Sequence, residues 1–413
     1  MPDSLKPDNS LNAAAAGMRA ATRSVMAQFF VNGAAFAAWG VQIPDIKSRF
    51  ALSDFVLSFA MLTVACGAIV AMGPIARWAT RVGSARALTI SGIVYAVATG
   101  LIPWMPDFEV LLGLLLVLGM AMGGFDVAMN VQAAAVEERG ARPIMSTLHG
   151  MFSLGGMVGA GLGGLAALAG LPTWLYAAGV AALALAAIAF GTPHLLADAP
   201  TAGEAPPARR GRGSAMLWIL GLFAFLGLIC EGAMYDWASV YLRDVAQAAP
   251  QLASYGYAAF STGMACGRFA ADPLRRRFGD GATLSASAWL GFAGIALAVC
   301  LPQPSWTLAG FLVMGLGVAN LMPLFFLAAA RLPGMSPAEG IAAIARCAYV
   351  GMLLGPAIIG GITHRADLRA GLAVVAAIMG LIAAVGIRQV RRIGRQNKSQ
   401  ADPLASERAG TAD

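Results

Sequence analysis

Long apolar runs recur along this chain at nearly regular spacing, each giving way to a short polar stretch or to a turn carrying Pro, Gly or Trp. A helix crosses the hydrocarbon of a bilayer with about 17–25 largely apolar residues. Twelve segments meet that length: 24–44, 55–75, 87–104, 108–136, 144–169 and 174–190 in the first half, then 216–242, 254–271, 283–301, 306–330, 341–363 and 368–387 in the second. Inside lipid, each backbone polar group must find its partner within the protein, which a helix achieves alone. The pattern therefore predicts an all-α membrane protein with twelve transmembrane helices in two six-helix bundles. The turns Pro103-Trp104-Met105-Pro106-Asp107 and Pro302-Gln303-Pro304-Ser305-Trp306 set Trp at helix ends, where headgroup depth suits it. The first run is long and eleven follow, so it reads as a mature helix and not as a signal peptide.

Composition strengthens the pattern. The 413 residues are 58% hydrophobic and 12% charged with mean hydropathy +0.71, whereas soluble domains sit near 45–50% apolar and about 25% charged. Water-soluble classes are thereby excluded. The 50 glycines recur inside the apolar runs, where a soluble helix would lose about 1 kcal/mol against Ala and a membrane helix gains close approach to its neighbour. The cysteines, Cys66, Cys230, Cys266, Cys300 and Cys347, lie in apolar stretches without a CxxC pair or a nearby His at ligand spacing, so neither a disulfide nor a metal site is expected.

The net charge of +7 invites a nucleic-acid reading, but the basic residues follow topology and not one patch. An amino terminus in the cytoplasm leaves Lys47, Arg49, Arg243, Arg365 and Arg369 outside and Arg268 and Arg346 within helices, with the rest of the 28 Lys and Arg inside. Both termini are expected in the cytoplasm of a bacterial cell, with the bundles in its inner membrane. The domain reading is a tail over 1–23, a bundle over 24–190, a flexible cytoplasmic linker over 191–215 rich in Pro and Arg, a second bundle over 216–392, and a tail over 393–413.

The halves also match each other. A shift of 196 to 199 residues superposes Asn32-Gly33-Ala34 with Trp39 and Asp45 on Glu231-Gly232-Ala233 with Trp237 and Asp244. It also superposes Arg81-Val82-Gly83 on Arg277-Phe278-Gly279, Gly119 on Gly315, and His149 before Gly163-Gly164 on Arg346 before Gly360-Gly361. A parallel repeat of six helices is how two-bundle transporters place a solute site near the midplane.

From about Ser24 to Arg392 the chain resembles the major facilitator superfamily. Its loop after the second helix, Ala76 to Arg86, keeps Arg81, Gly83 and Arg86 of the family pattern but has Thr80 where Asp is usual; Gly267 to Gly279, with Arg268, Asp272 and Arg275 to Arg277, is the fuller version. The resemblance implies that these basic side chains pair with helix ends and acids at a cytoplasmic gate. Gly124-Phe125-Asp126-Val127-Ala128-Met129-Asn130 is similar to the fourth helix of the fucose-permease-like branch, and Glu231 to Trp237 resembles the seventh helix of YbjJ-like bacterial members. That likeness implies proton coupling at Asp126. Gly40 stands where fucose permease has a first-helix Asp, so sugar specificity does not carry across. Gly155 to Gly164 resembles the fifth-helix motif of drug and proton antiporters, with Ala160 replacing Pro, and Gly351 to Gly361 echoes it.

A carboxylate in a membrane helix costs roughly 2.5–3.5 kcal/mol on insertion scales, so it usually faces a partner or a wet cavity. Asp126, with Asn130 one turn on, reads as a protonatable switch or as a structural acid bonded to a neighbouring helix. Glu231 reads as a proton or solute contact, with Tyr235 at i+4 adding a hydroxyl and a ring, or as an acid paired for structure, and Asp236 as a solvated or gate-pairing acid. Arg346 and His149 take equivalent places near the cytoplasmic ends of their helices and are read as gate residues, together with Arg268, Asp272 and Arg81. Asn32 and Asn320 are solute-contact candidates, as are Gln42 and Gln132 more weakly, because membrane amides often serve only to join helices.

The expectation is a proton-coupled secondary transporter of a small polar solute, working as a monomer by alternating access between two bundles. No GxxxxGK[ST] motif is present, no cofactor is expected, and no nucleophile–base pair points to an enzyme. The rivals are a proton-driven efflux antiporter, favoured by the fifth-helix glycines, and a sensor or scaffold that binds solute without flux.

Overall fold

The computed structural model describes residues 9–140, 144–197, 215–332 and 337–386. Among these there is no strand, and the backbone runs through thirteen α-helices. They are α1 (Asn9–Arg49), α2 (Asp54–Val82), α3 (Ser84–Leu101), α4 (Phe108–Gly140), α5 (Met145–Leu168), α6 (Thr173–Gly191) and α7 (Ala215–Asp244). The second half continues with α8 (Ser254–Phe278), α9 (Asp280–Cys300), α10 (Pro304–Val318), α11 (Leu321–Ala330), α12 (Pro337–Arg365) and α13 (Leu368–Leu381). Helices α10 and α11 lie in one span broken at Ala319 and Asn320, so the thirteen make twelve crossings.

Eleven of those crossings are long and apolar enough to span a bilayer. The twelfth, α8, is long enough but is diluted by Arg268, Asp272 and the run Arg275 to Arg277. Large apolar side chains cover the outside: Phe190 is 79% exposed and Trp218 70%. In water such a surface would aggregate; in a bilayer it is solvated by lipid tails. Trp104 and Trp174 stack at 5.8 Å beside the α3–α4 turn, as expected of an interfacial belt.

Two details depart from the sequence reading. Helix α1 begins at Asn9 and so takes in much of the segment assigned to a tail, because Ala13 to Ala16, Ala20 and Ala21 are strong helix formers. The start of the expected linker is also held: Leu196 N–H donates to Gln132 Oε1 at 3.0 Å and Gln132 Nε2 to the Leu196 carbonyl at 2.9 Å. The remainder of that linker and the tail over 393–413 lie outside the described residues.

The chain forms two compact units, one of Met1–Gln42 with Thr63–Ala202 and the other of Ile43–Leu62 with Gly203–Asp413. The second therefore takes the end of α1 and the start of α2 as well as the second-half helices. Within each unit the same crossings are built from the same glycines. In the first, a Cβ on Gly119 would fall on the Val64 carbonyl and one on Gly67 on the Leu116 carbonyl. In the second, Gly315 meets the Phe260 carbonyl and Gly263 the Leu312 carbonyl, each 196 positions later (315 − 119, 263 − 67). Gly155 lies against the Phe30 carbonyl and Gly351 against that of Phe225, at nearly the same shift. Gly83 (φ 92°) and Gly279 (φ 79°) close the turns after α2 and α8 in a conformation that a Cβ disfavours. The repeat read from the sequence is thus a repeat of backbone contacts.

Candidate functional site

In the second unit, the charged centre lies on α7 and α8. Arg268 on α8 reaches Glu231 on α7, Nη2 to Oε1 at 3.2 Å, with both side chains largely buried. The sequence reading put Arg268 at the gate; its guanidinium instead meets the acid assigned to solute or proton contact. Glu231, Tyr235 and Ser239 fall at i, i+4 and i+8 on one face of α7. Across from them on α8, Tyr257 packs against Tyr235 with ring centroids 5.4 Å apart, and Phe260 meets the same ring edge-on at 5.2 Å. The Ser239 and Ser261 hydroxyls and the Trp237 indole nitrogen are buried without a partner among the described residues. A seam of ionic, hydroxyl and aromatic groups therefore runs between α7 and α8 in an otherwise apolar bundle.

At the break between α10 and α11, Asn320 Nδ2 donates to Ser287 Oγ on α9 at 3.2 Å, and its buried Oδ1 has no partner among the described residues. An interrupted span with an unsatisfied amide is the kind of place at which membrane transporters expose polar backbone to a solute. Asp236 is partly buried on α7, away from the Glu231 face.

In the first unit, Asp126 and Asn130 share the face of α4 that carries Gly119 and Gly123, the glycines packed on Val64 and Ala68 of α2. Asn130 Nδ2 donates to the Asp126 carbonyl at 2.9 Å and to its Oδ1 at 3.3 Å. Asn32 on α1, the repeat counterpart of Glu231, is 3% exposed, and its Oδ1 has no partner among the described residues. Gln42 donates to the Ala38 carbonyl within α1, and Gln132 is used by the Leu196 clamp and by Ser84 Oγ at 2.6 Å. Both amide nitrogens are thus engaged within the protein.

His149 is exposed, its ring 5.5 Å from that of Phe29, and Arg346 and Arg81 are exposed on α12 and α2. Asp272 forms only an exposed pair with Arg275 at 3.5 Å. Asp280, which the sequence reading passed over, holds Arg275 at 2.8 Å and Arg331 at 3.1 Å.

A second ionic cluster was also missed. Lys47, near the end of α1, lies 2.6 Å from Asp54 at the start of α2 and 2.6 Å from Asp244 at the end of α7. Arg243 binds Asp244 at 2.6 Å and donates to the Pro44 carbonyl at 2.6 Å and Ser48 Oγ at 2.9 Å. All of these residues belong to the second unit. The charges had been used to set topology, and nothing local signals that residues so far apart in sequence meet. Phe55 against His364, at 4.9 Å, and Gly360 against Ser58 continue the same contact of α2 with α12.

Twelve crossings, a parallel repeat and charged groups held inside the apolar bundle define a polytopic membrane transporter. The sequence profile of the Major Facilitator Superfamily matches residues 25–346. The chain belongs to that superfamily. It is 33% identical over 388 residues to the membrane protein MosC of Rhizobium meliloti, covering 90% of each chain. It is 32% identical over 359 residues to an uncharacterised transporter of the same superfamily type in Yersinia pestis, covering 86% of this chain and 92% of that one. Among solved structures, the nucleoside transporter NupG superposes with TM-score 0.69 at 13% identity, over 89% of this chain and 98% of that one. A bacterial homologue of the lysosomal transporter Spinster gives 0.63 at 16%, over 92% and 98%. At these identities the structural likeness speaks to the fold. The chain is a transporter and not an enzyme.

Proposed function

We propose that this chain is a proton-coupled secondary transporter of a small polar solute, in the YbjJ-like branch of its superfamily, and that the α7–α8 seam carries the coupling. The observation that carries this reading is the Glu231–Arg268 pair. A carboxylate and a guanidinium 3.2 Å apart in an apolar bundle stabilise one another only while both are charged. Protonating Glu231 removes one partner and leaves the Arg268 donors seeking another acceptor, which a polar solute or a second helix supplies. Tyr235 and Tyr257 add hydroxyls and ring faces beside it, suited to a solute with both polar and planar or apolar parts. Asp126, with Asn130 holding one carboxylate oxygen, serves as a second protonatable position.

Alternating access requires contacts that are made in one state and broken in another. The Lys47, Asp54, Arg243 and Asp244 cluster suits that role, because it joins the ends of α1, α2 and α7 through ionic contacts that water can replace. The fifth-helix glycines carry no separate weight for efflux: Gly155 and Gly159 are accounted for by close packing on Phe30 and Ala34 of α1.

A ligand-stabilisation screen on purified protein would supply the solute, since binding to the folded state raises apparent stability. Its uptake into proteoliposomes would then be followed under an imposed pH gradient. Flux should fall when the gradient is collapsed, and Glu231→Gln should retain solute binding but lose the response to the gradient. Flux indifferent to the gradient would end the proton reading. Normal coupled transport by both Asp126→Asn and Glu231→Gln would end the site assignment.

A further inference from the structure

At the end of the first unit that carries the amino terminus, α1, α4 and the start of α5 enclose a groove of about 590 Å³, lined by Ala15, Met18, Arg19, Thr22, Arg23, Met26, Val136, Gly140 and Ile144. We propose that this groove binds the headgroup and upper acyl region of an anionic phospholipid. Along α1 the lining runs Met18, Arg19, Thr22, Arg23 and Met26, so cations and apolar side chains share one groove, a mixture that suits an amphiphile with an anionic head.

Arg19 and Arg23 are one turn apart on the same face, separated by about 6 Å along the axis. Both are exposed, and among the described residues neither forms an ion pair. Glu137, beside Val136, turns its Oε2 to the Ile144 and Met145 N–H groups at 2.8 and 2.9 Å, capping α5, and among the described residues it forms no ion pair with either arginine. Two guanidinium groups in fork geometry suit phosphate oxygens. A free phosphate would satisfy them but leave Met18, Met26, Val136 and Ile144 uncovered, whereas a phospholipid covers both parts. Basic pockets among helix ends at a membrane face are the setting in which anionic lipids are held.

The test uses the full chain in nanodiscs of phosphatidylcholine, with and without phosphatidylglycerol, read by thermal unfolding and by native mass spectrometry of retained lipid. Phosphatidylglycerol should stabilise the wild type and remain bound, and Arg19→Gln with Arg23→Gln should bind it about thirtyfold more weakly. Arg365→Gln, an exposed cation outside the groove, should behave as wild type. If the double variant does not fold, each single variant should still show part of the loss. Equal retention of phosphatidylglycerol by the Arg19 and Arg23 variants would overturn the proposal. So would millimolar inorganic phosphate in phosphatidylcholine discs reproducing the stabilisation, since that would assign a free anion. Loss of the lipid in Arg365→Gln to the same degree would overturn it too, by showing only diffuse surface charge.

Discussion

At the scale of single residues, the Glu231–Arg268 pair makes the sharpest stability prediction. Each partner is buried against the other, so neutralising one strands the other in an apolar bundle. Glu231→Gln and Arg268→Gln should each lower stability by about 3 kcal/mol, and the double variant should recover much of that loss. Thermal unfolding of the four proteins in one detergent measures it; losses that simply add would show that the two side chains do not interact. The sequence made Glu231 and Tyr235 legible as candidates, because an acid inside an apolar run is conspicuous and i+4 spacing fixes a shared face. The partner was not legible. Arg268 sits ten residues before Phe278 in a helix whose end is crowded with arginines, and sequence proximity to those charges drew it to the wrong end of the argument. The bonding of Gln132 was hidden for a like reason: its acceptors lie 48 and 64 residues away, one of them in a segment read as linker.

At the scale of elements, the crossings depend on where a Cβ is missing. Gly155→Val places a branched side chain on the Phe30 carbonyl and Gly351→Val does the same on Phe225, so each should lose about 1–3 kcal/mol by forcing α1 from α5 or α7 from α12. Gly161→Val, at a position open to its surroundings, is the control and should be near neutral by thermal unfolding. The turn glycines test backbone rather than packing. Gly83→Ala and Gly279→Ala put an L side chain at positive φ, the second with open space around the added Cβ, and each should cost about 1–2 kcal/mol. The twelve apolar segments and their repeat were legible because length and period are local properties. The break at Asn320 was not, since Gly317 to Met322 continues an apolar run without Pro until Pro323.

For the whole molecule, the ionic cluster at the end of α1 predicts a change in access. Lys47→Gln removes the cation shared by Asp54 and Asp244 and leaves two carboxylates facing one another. In a chain otherwise free of cysteine, a thiol placed by Ser239→Cys on the α7 seam should react about fivefold faster with a water-soluble maleimide when Lys47→Gln is added. An unchanged rate would remove the cluster from any closing role. The cluster also explains why residues 43–62 group with the second half, which no linker or composition shift announces. The two halves differ at one further corner. After Gly83 the first closes with a neutral Ser84–Gln132 hydrogen bond, whereas after Gly279 the second closes with Asp280 between Arg275 and Arg331. Ions in solution weaken exposed pairs of the second kind and leave the first untouched. A change in the electrolyte bathing the protein therefore loosens one of these two matched corners and spares its twin.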